Sequence, residues 1–380
     1  MPPRSALAST ADGRYPVGVP DLVNGFSWSR SRDNLFQECR RKYYYHYYGS
    51  WGGWEPDADA EVRRLYVLKQ LSSRQQWAGK LVHEGIELLL RALRSGSPLP
   101  ETWLITEIVK RMRREWKASH HRRYWDDPKG GALFEHEYSI TVSDETWQQL
   151  RDHLARCLRN FYRLDLLSDI RQTPLDRWIL IEEIRAFNFE GTPVYGAPDF
   201  GYWTSADRLA LVDWKTGGGN GEMSAFQLGI YALYAQEVLG AEPARVDLFE
   251  VNLREPTVRA IPWDEAKLSE VMDRLRLSIR SMKAWLRDPS LNLAVMEDFE
   301  KTEELRLCKW CNFRAVCRPE LDLGGGPAQL PPSTSTGQAD RGRPNLPRGG
   351  GAGEAGARTG LGCRANNRRS SAFSVGADPY

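Results

Sequence analysis

Apolar residues recur along the chain with two spacings, and each spacing marks a class of element. In residues 75–94, QQWAGKLVHEGIELLLRALR, Val82, Ile86, Leu89 and Leu93 form one helical stripe with His83 at its border. A second amphipathic helix sets Ile105, Ile108, Met112 and Trp116 inward and Lys110, Arg111, Arg113, Arg114 and Lys117 outward. A third, 146–165, gathers Trp147, Leu150, Leu154, Cys157, Phe161 and Leu164 on one side, which makes Cys157 a buried hydrophobe. From Trp178 the pattern changes. Segments 178–189, 193–203 and 208–215 read as strands, 222–239 as a helix, 244–253 and 257–262 as strands, and 263–288 as a long helix. The fold class is therefore α/β: a mixed central sheet at about 178–290 flanked by helices, with a helical insertion at about 95–170.

Composition adds the boundaries. Residues 1–24 lack an apolar pattern and read as a flexible arm; order should begin at Phe26, with Ser29 capping a helix that buries Leu35 and Phe36. One domain spans 25–320, and Gly, Pro, Ser, Ala and Arg dominate 321–380, which reads as a disordered tail. In 380 residues, 41% hydrophobic content is ample for a large core, while a net charge of +2 leaves nucleic-acid binding to local patches. The opening residues hold no apolar core of signal-peptide length and no run approaches a membrane span, so the expected location is cytoplasmic, with no membrane partner. Six cysteines are too few for a disulfide scaffold, but Cys308, Cys311 and Cys317 cluster in CKWCNFRAVC and suggest a metal; Cys363 in the tail reads as an idle thiol. Three thiolates are one short of a tetrahedral site.

The candidate chemistry lies in VYGAPDFGYWTSADRLALVDWKTG, residues 194–217. Asp199 is on one strand, and Asp213 and Lys215, two apart on the next, share a face. Such a trio suits Mg²⁺ or Mn²⁺, which carboxylates bind while the ammonium offsets phosphate charge; the other reading is an exposed ion pair on a surface hairpin. Ile179, Ile181 and Glu183 share a face, so Glu183 either enters the same cleft or is a surface carboxylate. Gln227 and Tyr231, four apart, project from one face of their helix. Arg40, Arg41 and Lys42 run into Tyr43, Tyr44, Tyr45, Tyr47 and Tyr48, a pattern that serves either single-stranded nucleic acid or aromatic packing.

The order Gly196-Ala197-Pro198-Asp199, apolar strand, Asp213-Trp214-Lys215-Thr216-Gly217, then Gln227-x-x-x-Tyr231 resembles the RecB-type PD-(D/E)XK nucleases. That group includes the RecB and AddB nuclease domains and the RecB-like CRISPR-associated exonucleases. Gly79-Lys80-Leu81-Val82-His83 resembles the family's Gly-x-x-x-His helix, and residues 26–51 resemble its opening segment, except that Arg40 stands where proline usually follows the cysteine. The resemblance covers about residues 26 to 317. It implies a restriction-endonuclease-like core and a metal-dependent exodeoxyribonuclease acting on single-stranded DNA or DNA ends. Mg²⁺ or Mn²⁺ would be held by His83, Asp199, Asp213 and the Trp214 carbonyl; Lys215 would position water, and Gln227 and Tyr231 would line the site. It further implies a [4Fe–4S] cluster on Cys39, Cys308, Cys311 and Cys317, for which zinc is the alternative. A helicase or proteins of repair or CRISPR adaptation would be its companions, since no G-x-x-x-x-G-K-[ST] motif is present. The competing reading is an inactive DNA-binding module with a structural Fe–S or Zn site.

Overall fold

The structure, a computed structural model, describes residues 23–183, 185–196, 198–217 and 221–321. The expected arm and tail, with Cys363, therefore lie outside the described residues except for Val23, Asn24 and Leu321, and so does Ala197. A two-residue strand, β1 (Trp28–Ser29), enters helix α1 (Arg30–Glu38) through Ser29, whose hydroxyl accepts the Arg32 N–H at 3.2 Å. Three long helices follow: α2 (Arg74–Arg94), α3 (Glu101–His120) and α4 (Asp144–Arg163). A reciprocal cap opens α2, the Ser73 hydroxyl accepting the Gln76 N–H and the Gln76 carboxamide accepting the Ser73 N–H. Their stripes meet in a core that includes Ile86, Ile108, Leu154 and Leu158, with Cys157 fully buried among them.

The sheet region comprises β2 (Trp178–Ile181), β3 (Arg185–Phe189), β4 (Thr192–Gly196), β5 (Phe200–Trp203), β6 (Leu209–Lys215), helix α5 (Gly221–Leu239), β7 (Val246–Asn252), β8 (Thr257–Ile261) and helix α6 (Glu265–Lys283). Its main sheet has the order β8-β7-β6-β5-β2, antiparallel except for the parallel pair β6–β7 that α5 connects. Leu209 and Leu211 pack toward α5 with Leu228 and Ala232, whereas Ala210, Val212 and Trp214 pack into the α2–α4 core. Central strand β6 is thus covered on both faces, and its charged end is the exception that matters.

Two predicted strands are corrected. Segments 178–189 and 193–203 each break in two, and the β3–β4 hairpin leaves the main sheet to pair with β1 in a second one, of order β1-β4-β3. The first break falls at Glu182, whose φ of 47° turns the chain out of the extended region. The second falls at Pro198, which has no N–H to continue a ladder.

The tyrosine run takes the packing alternative. Tyr43 is 0% and Tyr45 4% exposed, and Tyr43, Tyr44 and Tyr48 surround Phe299 at 5.4–6.1 Å between ring centroids. Buried Arg32 sits inside this cage, donating to the Tyr43 and Tyr48 hydroxyls at 3.1 Å each. On α3, Arg111 is tied to Glu115 and Glu84 and Lys110 to Glu107, while Arg113, Arg114 and Lys117 are exposed on the same face. No helix of the described residues is long and apolar enough to cross a membrane.

Candidate active site

Period two on β6 carries Asp213 and Lys215 to the same side as Leu209 and Leu211, facing α5. There Asp213 Oδ2, buried and without an aligned hydrogen bond, lies 2.5 Å from Lys215 Nζ. Gln227 of α5 bridges the pair: its Nε2 donates to Asp213 Oδ1 at 3.2 Å and its Oε1 accepts from Lys215 Nζ at 3.2 Å. Tyr231, one turn on, has its hydroxyl 2.6 Å from Gln227 Nε2 and donates to Asp213 Oδ1 at 3.5 Å. A Cβ on Gly196 would come within 3.3 Å of the Tyr231 ring, so the glycine lets that ring reach the strand.

Asp199 immediately precedes β5 and turns its carboxylate toward the same strand end, where Oδ2 accepts the Trp214 backbone N–H at 2.5 Å. The Trp214 indole packs edge-on against Phe161 at 5.0 Å, which fixes this part of β6. Helix α2 supplies His83, whose Nδ1 lies 3.3 Å from Asp199 Oδ1 and 3.2 Å from Glu182 Oε1. The spacing of Gly79 and His83 has a steric reason too: a Cβ on Gly79 would lie 3.0 Å from Thr216 Oγ1, so its absence lets α2 close on the segment after Lys215.

The donor atoms of His83, Glu182 and Asp199 all lie within 4.8 Å of one another, close enough to share one divalent ion. Glu182 is the member that period-two reasoning missed. Extrapolating strand β2 through its break selects Glu183, but that residue pairs with Arg185 while Glu182 turns inward. Its left-handed backbone costs roughly 1–3 kcal/mol, a strain that collects at functional sites. The available signal was two glutamates ending an apolar strand just before a hairpin.

Three carboxylates are gathered here against one ammonium and one imidazole. Burial and then Asp199 push Glu182 up to about 7; burial and Asp199 push Asp213 up to about 6, although Lys215 pulls the other way. Burial alone would lower His83, yet Asp199 and Glu182 outweigh it and hold the imidazole well above its usual 6.5. For Lys215 likewise, burial is outweighed by Asp213, so the amine stays a cation. This excess of confined negative charge, three carboxylates against one ammonium and one imidazole, fits a bound divalent cation.

A pH dependence follows. In the metal-free protein, a carboxyl and an imidazole whose pKa values rise on folding both lose stabilisation as pH climbs, Glu182 between 4.5 and about 7 and His83 above 6.5. A divalent ion competes with those same protons. Mn²⁺ is therefore expected to bind at least about tenfold tighter at pH 8 than at pH 6, measured by titrating the full chain. Equal affinities at the two pH values would mean that these groups do not hold the ion.

The sequence profile of the PD-(D/E)XK nuclease superfamily matches residues 27–318, a span that contains every residue of this site. The chain belongs to the PD-(D/E)XK nuclease superfamily. No curated protein matches it. Membership makes it a metal-dependent nuclease with DNA as its substrate class, on a restriction-endonuclease-like fold.

This PD-(D/E)XK nuclease has a second cluster of reactive groups. Cys39, Cys308, Cys311 and Cys317 line one cavity together with Lys42, Lys301 and Arg314. All four are free thiols, and burial pushes Cys311 up to about 12 and raises Cys317. The far segment is anchored on both sides: Arg41 donates to the Phe299 carbonyl at 2.7 Å, and Asn312 to the Leu71 carbonyl at 2.7 Å. The sequence-distant Cys39 is thereby brought to the other three.

Proposed function

We propose that this nuclease is a RecB-like exodeoxyribonuclease that acts on single-stranded DNA or DNA ends and carries a [4Fe–4S] cluster as a structural tie. The observation that carries the enzymatic reading is the convergence of His83, Glu182 and Asp199 beside the Asp213–Lys215–Gln227–Tyr231 network. His83, Glu182, Asp199 and Asp213 would hold Mg²⁺ or Mn²⁺, which when bound supplies Lewis acidity and a source of nucleophilic water. Asp199 is kept in place by the Trp214 N–H, and Asp213 and Gln227 aim the Lys215 ammonium. Held as a cation, Lys215 orients the attacking water and offsets charge gathering on the phosphoryl oxygens. Gln227 and Tyr231 sit where a DNA backbone entering the site would be steered.

Four thiols lining one cavity supply the all-cysteine donor set that a [4Fe–4S] cluster takes. Incubating the full chain and Mg²⁺ with end-labelled single-stranded and duplex DNA tests the function. Stepwise loss of terminal nucleotides is expected, faster on single strands; an inert protein that still binds DNA would overturn the reading.

A further inference from the structure

We infer that Arg91 is the positioning residue for Glu182, and that Glu87 aims Arg91 for this task. Helix α2 carries His83, Glu87 and Arg91 at successive four-residue steps, so all three lean toward the end of β2. Arg91 Nη2 donates to the carbonyl of Ile181 at 3.2 Å, while Arg91 Nε donates to Glu87 Oε1 at 2.7 Å. Ile181 is fully buried and immediately precedes Glu182, whose φ of 47° reverses the chain. That reversal is fastened at three points. The Glu182 N–H donates to the Asp199 carbonyl at 2.8 Å, Arg91 holds the preceding carbonyl, and His83 meets the carboxylate at 3.2 Å.

A guanidinium in a simple exposed i,i+4 pair would do little. Here one arm is committed to the backbone at a strained residue, and without it the chain can relax to ordinary dihedrals and carry the Glu182 carboxylate away from His83. Glu87 has a second effect. By engaging Arg91 Nε it keeps the guanidinium from pairing with Glu182 itself, which leaves that carboxylate available to a cation. Outer groups that orient ligands in this way commonly govern metal affinity.

The inference rests on the proposed role of Glu182 as a metal ligand, and one set of variants separates the two. Mn²⁺ titration of the full chain, followed by the EPR signal of free Mn²⁺, is compared for wild type, R91A, R91K, E87Q and E182Q, alongside thermal midpoints. R91A is expected to weaken Mn²⁺ binding by about 10–100-fold with little change in midpoint, since Arg91 is half exposed. R91K, with a single-point donor, should fall between R91A and wild type, and E87Q should weaken binding as the released Arg91 turns to Glu182. Wild-type affinity in R91A, with affinity lost in E182Q, overturns the role of Arg91 alone. Wild-type affinity in E182Q overturns the ligand assignment and this inference with it. A large midpoint fall in R91A would assign Arg91 to general folding and also overturn the inference.

Discussion

Lys215→Ala is expected to lower the rate of DNA cleavage by roughly 10²–10⁴-fold while Mn²⁺ still binds. The ammonium is not a ligand in the His83–Glu182–Asp199 trio, so its removal leaves those donors in place. What it takes away is the cation that Asp213 holds at 2.5 Å and Gln227 at 3.2 Å, which the proposed mechanism sets against the phosphate. The neighbouring Asp213 is only 3% exposed and would be left without its charge partner, so some stability should be lost as well. Lys215→Met, which keeps most of the side-chain volume, separates lost chemistry from lost packing. Arginine should not restore activity, because its planar fork cannot take the place of a compact point charge between Asp213 and Gln227. The measurement is single-turnover digestion of labelled DNA beside circular dichroism. Near-wild-type cleavage by a folded Lys215→Ala protein would remove Lys215 from the mechanism.

Cys39→Ser should have the largest effect on stability. Its sulfur lines the same cavity as Cys308, Cys311 and Cys317, so a group bound by all four ties the first helix to the end of the domain. Closing so long a loop stabilises the fold by about 5 kcal/mol from chain entropy alone, and the metal–thiolate bonds add to that. If the proposed cluster is present, the variant is expected to purify with little iron, without the brown colour the cluster would give the parent, and to unfold at markedly lower urea concentration. Cys157→Ala is the contrasting control: it removes a core thiol packed beside Leu154 and Leu158 and should leave metal content unchanged. Full iron occupancy in Cys39→Ser would exclude Cys39 as a ligand, and stoichiometric zinc in the parent would replace the cluster.

What the sequence made legible was whatever depends on a single element's period. Asp213 and Lys215 share a face because strands repeat every two residues, and Gln227 and Tyr231 share one because helices bring every fourth residue round. The α/β architecture and the burial of Cys157 follow from the same periodicities. Glu182 was hidden because its place depends on a break, and a single left-handed residue reverses which of two adjacent glutamates faces inward. The tyrosine run was undecidable locally, since its cover comes from Phe299 and Phe313, far along the chain. Arg91 was equally obscure: its partner is a backbone carbonyl, which no side-chain pattern announces.

The segment at Trp28 has a consequence for biosynthesis. Its indole donates to Ser278 across 250 residues, and its strand pairs with Val194 and Tyr195. At ribosomal speeds of about 5–20 residues per second, its final partner emerges roughly 10–50 s after it does. Throughout that interval Trp28, Phe36 and Tyr43 travel on the nascent chain without their native cover, making the earliest-translated part of the domain among the last to be sheltered.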